Sequence, residues 1–165
     1  MARKRDWGLI FLWVAAIWGA GKALEVLARF ATVSDYAILS AHGLGWLFFV
    51  VAGINLLLWV TFLYYLSRSA PVVVTVGFAA LAYNALYNGA MTFVLMQDLP
   101  AARTAYAVSR EARGMPVREE TLDAVFSVPG LWGSFLLSLA IMAIVAVLLW
   151  RKRRWFGADV AELDA

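Results

Sequence analysis

Cysteine is absent from this 165-residue chain, histidine occurs once and proline only four times. Without cysteine there is no disulfide, zinc–thiolate site, iron–sulfur cluster or thiol nucleophile. A single histidine, His42, excludes a bis-histidine haem or a multi-histidine metal centre within one chain. Charged residues are scarce too, at 15%, against about 25% in an ordinary soluble domain. The formal net charge is +3, but the cations sit at the ends of apolar segments, where membrane topology accounts for them. No cofactor, metal or nucleic-acid partner is expected.

Apolar residues fill the chain instead: 64% are hydrophobic. A soluble fold of this size cannot hide that much apolar surface. A bilayer removes the difficulty, because a crossing helix needs only about 20 apolar residues. Four such stretches, near 7–29, 40–66, 72–96 and 126–150, account for most of the sequence. The expected fold is all-α: a polytopic membrane protein, one domain over 1–165, built as a four-transmembrane-helix bundle. The Arg3–Lys4–Arg5 start resembles a signal peptide, but no A-x-A cleavage pattern follows the first apolar stretch.

Connectors set the topology. Ser34 or Asp35 can cap the helix leading into the second span. Ser67-Arg68-Ser69-Ala70-Pro71 reads as a tight hairpin, with Pro71 suited to open the third span. Residues 97–125 are too long for a plain loop. Asp98 before Leu99-Pro100 is a helix start, Gly114 a stop, and Pro116 and Thr121 frame a second short helical piece. Eight Lys/Arg fall on one side if both termini are cytoplasmic: the first three, Arg68, and the run 151–154 that opens the basic tail 151–165. The helical connector 97–125 is then extracytoplasmic, where its arginines are diluted by acids. The expected location is a bacterial inner membrane. The eight tryptophans, including Trp7, Trp46, Trp59, Trp150 and Trp155, read as interfacial belts.

A few polar residues interrupt the spans. Trp18, Lys22, Glu25 and Arg29 follow helical spacing and share one face. Glu25 can pair with Lys22 or Arg29. The three ionisable residues read either as a self-neutralised group snorkelling at a helix end or as a ligand site. Asn84, Asn88 and Thr92 form a stripe on the third span, with Tyr83 and Tyr87 beside it. Asn55 lies mid-way along the second span, His42 at its outer mouth, and Ser134 and Ser138 in the outer half of the fourth. These positions converge on the extracytoplasmic half, which implies a bundle sealed at its cytoplasmic end with a polar cleft above. The same residues also read as interhelical packing, at about 0.6 kcal/mol per hydrogen bond.

Two functions compete on this evidence. One is a non-enzymatic membrane protein that self-associates or serves as an accessory or assembly subunit. Its partners are membrane lipids and either a second copy or a larger complex. The other binds or transports a lipid-like or amphiphilic molecule, using Lys22, Glu25 and the Asn84/Asn88 stripe. An enzyme would draw on Glu25, His42 and Lys22, but no motif sets them at a chemical spacing.

Overall fold

The computed structural model describes residues 6–157 and is all-helical, with no strand among them. The helices are α1 (Trp7–Ala28), α2 (Ser34–Ala41), α3 (Gly45–Arg68), α4 (Val73–Gln97), α5 (Leu99–Ala112), α6 (Glu119–Val125) and α7 (Val128–Arg151). Short 3-10 turns follow α1 and α7. Helices α1, α3 and α7 are long and apolar enough to cross a membrane by length and composition. Their outward faces carry Val14, Ile17, Leu57, Leu137, Ile144 and Val147, each more than half exposed or nearly so. A contiguous apolar exterior of that kind marks a membrane or interaction surface. Helix α4 matches them in length at 25 residues, but its asparagines and tyrosines dilute its apolar character.

Local chemistry explains most boundaries. The Asp6 carboxylate accepts from the backbone N–H groups of Gly8 and Leu9 and so starts α1. Asp98 does the same for α5 through Ala101 N–H, and Ser127 for α7 through Gly130 N–H. Gly114, at φ +67°, ends the α5 segment as expected, with Met115 N–H returning to the Arg110 carbonyl. The two helical pieces anticipated in 97–125 are α5 and α6. Between α3 and α4, Ser69 turns the chain in a left-handed conformation at φ 50°.

The second apolar stretch departs from expectation. Ser40 does not open a helix running to Leu66; it lies near the end of α2, and α3 begins at Gly45. Gly43, at φ +73°, lets the chain reverse here, and Leu44 N–H bonds back to the Leu39 carbonyl. Neither Ser34 nor Asp35 caps α2; both lie in its first turn, after an extended Val33. The Arg3–Arg5 cluster and the tail beyond Gly157 lie outside the described residues.

The long helices alternate in direction. α3 packs closely on α1, α4 on α3, and α7 on α4. Packing is tightest toward the end holding Asp6 and Lys152, called here the closed end. Leu12, Phe62, Leu66, Val73, Leu149 and Phe156 are almost wholly buried there. Gly77 admits Phe62 and Leu149, since a Cβ on it would stand 2.9 and 2.5 Å from those side chains. Trp59 is not a belt residue. It is 8% exposed, lies against the backbone of Gly19 and meets Phe62 edge-on at 5.9 Å. Trp7, Trp46, Trp150 and Trp155 stay exposed. At the opposite end, α5 lies across α2 and the turn after α1, and α6 leads into α7.

Candidate functional site

α1 meets α7 at Gly8, beside Leu148 and Lys152, and contacts it far less than it contacts α3. Lys152 Nζ donates to the Asp6 carboxylate at 2.7 Å, which ties the two helices together at the closed end. This bond is the main reason the Asp6 carboxyl is held below the usual carboxylate range. Away from that tie the helices leave a groove of about 420 Å³, whose floor is α3 and α4. Val14, Trp18 and Ile141 on its rims are more than half exposed, so it opens sideways.

The groove is graded. From Phe11 to Lys22 it runs roughly 16 Å along α1, given the helical rise. Its lower walls are Phe11, Val14, Ala15, Ile141, Met142 and Val145. Polar groups enter at one level. Measured along their helices from the closed end, Lys22, Asn55, Asn84, Asn88 and Ser138 stand roughly 16–23 Å up, and all five line the groove.

These polar groups are also paired with one another. Asn84 Nδ2 donates to Asn55 Oδ1 at 2.9 Å and to the Ala80 carbonyl at 2.8 Å. Asn88 Nδ2 donates to Ser138 Oγ at 3.0 Å. One stripe on α4 therefore joins α3 on one side and α7 on the other. Packing and groove lining are thus the same residues: each amide spends its donor on a neighbouring helix while its remaining face borders the cavity.

A second cavity, of about 190 Å³, continues past Lys22 and Val26 under α5. Glu25, Arg29, Thr32, Ser34, Tyr106, Ser109 and Arg113 complete its walls. Glu25 takes Lys22 as its partner, at 2.8 Å, and not Arg29. Lys22 and Glu25 are 52% and 41% exposed, so the pair stands at the rim of the groove. Lys22 Nζ also lies 5.8 Å from the Trp18 ring. Arg113 is held by Ser109, through Nε to the carbonyl and through its other nitrogen to Oγ, while Ser109 Oγ donates to the Thr32 carbonyl.

Other candidates lie elsewhere. Tyr83 donates to the Val51 carbonyl at 2.8 Å, and Tyr87 to the Asp35 carboxylate at 2.6 Å. Both face α2 and α3 and line neither cavity. His42 is engaged with the Ile38 carbonyl at the end of α2. Ser134 is exposed on α7, outside the groove. Asp35 was not legible as a partner, because a residue in the first turn of a short helix carries no signal of a contact 52 positions away. Nor were Tyr106, Ser109 and Arg113 legible as walls of a cavity with α1. No protein-family model, curated protein or solved structure matches the chain.

Proposed function

We propose that this is a multi-pass membrane protein with four crossings, α1, α3, α4 and α7. In this reading it holds the aliphatic part of an amphiphilic molecule in the groove between α1 and α7. Support for the fourth crossing comes from α4, which has no charged residue over Val73–Gln97 and lies lengthwise between two helices of spanning length. The amides of Asn84 and Asn88 and the hydroxyls of Tyr83, Tyr87 and Thr92 are all hydrogen-bonded inside the bundle, as lipid requires. Both chain ends belong on the cytoplasmic side by the distribution of Lys and Arg, so the polar shelf of the groove lies toward the outer leaflet.

The observation that carries the reading is the grading of the groove: a sideways-open apolar trough ending at a polar shelf with a charged rim. Its volume falls within the about 300–1,000 Å³ of small-molecule sites. The absence of cysteine makes single-cysteine variants clean probes. Glu25→Cys and Ser138→Cys should react with a membrane-impermeant thiol reagent from the extracytoplasmic side only, and an added amphiphile should slow the reaction at 138. Labelling from the cytoplasmic side, or none at either position, would overturn the reading.

A subunit role is the second reading. It draws on a shallow furrow along the outer face of α1, where Ile17, Trp18 and Glu25 surround Gly21 and a Cβ on Gly21 would meet nothing. Small residues of this kind let a neighbouring membrane helix approach. Cross-linking of Gly21→Cys in membranes would reveal such a dimer.

A further inference from the structure

The occupant's polar end can be read from what lies past the shelf. Resting on the groove reading above, we propose that the occupant is an anionic phospholipid from the outer leaflet. Its chain occupies the trough and its phosphate lies against Arg29, Arg113 and Lys22 beneath α5.

Continuity is the first ground. The two cavities adjoin at Lys22 and Val26, so a molecule lying in the trough has its end beside the upper cavity, with those two side chains between. Charge is the second. Three cations border the upper cavity against one carboxylate, Glu25, and that carboxylate is engaged by Lys22. Arg29 is exposed, and among the described residues its guanidinium makes no hydrogen bond or ion pair. Arg113, by contrast, is aimed. Ser109 fixes its Nε and one terminal nitrogen, which leaves the other terminal nitrogen to donate. Both arginines line the same cavity as Glu25, which places them around one spot. Guanidinium groups suit phosphate because their planar fork matches two of its oxygens. Tyr106, also on the wall, accepts from Arg110 at 3.3 Å and keeps its own hydroxyl proton to donate.

Position is the third ground. The shelf stands roughly 16–23 Å above the closed end, within a hydrocarbon layer about 30 Å thick. By the same rise Lys22 stands about 22 Å up and Arg29 about 33 Å, so the cations run from the outer part of the layer to its boundary with the headgroups. A phosphate drawn slightly inward would meet them while its chain stays at a depth that lipid already occupies.

The test uses the whole protein, stripped of lipid in detergent, with binding followed by native mass spectrometry. Phosphatidylglycerol and phosphatidylcholine of identical chains are the probes, with inorganic phosphate as competitor. Phosphatidylglycerol should bind one molecule about tenfold more tightly than phosphatidylcholine. Arg29→Gln, at an exposed position, should remove most of that preference and Arg29→Lys should restore part of it. Arg113→Gln should act in the same direction, with a melting measurement to confirm that the chain still folds. Ala15→Phe, which fills the trough, should abolish binding of both lipids.

The outcomes separate. Equal binding of the two lipids, unchanged by Arg29→Gln, overturns the phosphate site and leaves the groove intact. Binding that survives Ala15→Phe overturns the groove itself. Displacement of phosphatidylglycerol by millimolar inorganic phosphate would mean a small-anion site with no role for the chain, and would overturn the lipid assignment.

Discussion

At the closed end of the bundle, Leu12, Phe62, Val73 and Leu149 are 0–1% exposed, and Gly77 lets three helices meet over them. About two to four turns away, the same helices are joined by Asn84 to Asn55 and Asn88 to Ser138, beside a cavity of about 420 Å³. One end is held by shape, the other by a few directed bonds around unfilled space. In lipid, apolar contact between helices competes with equally apolar lipid tails, so only dense packing or hydrogen bonding favours association. Dense packing leaves no room for a ligand. Hydrogen bonds fix helix spacing at isolated points and let the helices diverge between them, which is where a groove can persist.

This contrast can be broken most directly at Phe62. Phe62→Ala should lower stability by about 3–5 kcal/mol, measured by denaturation in micelles. Ile141→Ala on the groove rim should cost less than about 0.5 kcal/mol. Similar losses for the two would mean that the groove is as tightly filled as the closed end.

Asn84→Ala should come next, at about 0.6–1.7 kcal/mol. It removes the donor to Asn55 and leaves that carbonyl beside the cavity. A loss much above this range would show the shelf to be core and not lining.

The tie at the closed end supplies a smaller, pH-dependent effect. The Asp6 carboxyl is held below its ordinary value chiefly by the bond from Lys152. Its contribution is therefore complete above the ordinary carboxylate pKa and fades as pH falls through the lowered one. Asp6→Asn should be less stable than the parent at neutral pH, and the difference should shrink under acid. A difference that is constant with pH would assign the effect to helix capping alone. Smallest of all, Ser134→Ala should change stability by no more than about 0.5 kcal/mol, because Ser134 is exposed outside the groove.

Much of this was legible in the chain itself. The helical character of 97–125 followed from Asp98, Pro100 and Gly114, whose effects are local. The polar stripe of Asn84 and Asn88 was legible because a four-residue period needs only one helix to define a face. Depth groups His42 and Ser134 with that stripe, and helical spacing puts Ser134 on the face of Ser138, but neither states where the groove ends. His42 turned to its own helix end, and Ser134, one turn beyond Ser138 on the same side of α7, lies past the end of the groove. Trp59 was assigned to a belt by residue type, whereas the gap opposite Gly19 drew it inside.

By itself the sequence determined the apolar helices, their caps and stops, and the level at which polar atoms enter, all set within a few turns of one chain segment. Tertiary structure alone decided that α1 and α7 separate above the Asp6–Lys152 tie, that Asn84 reaches Asn55, and that α5 brings Arg113 to the cavity that Glu25 lines. Those outcomes depend on crossing geometry and on side-chain volumes contributed by segments far apart in the chain. A periodic pattern on one helix states which face is polar, but only the neighbouring surface determines what that face meets.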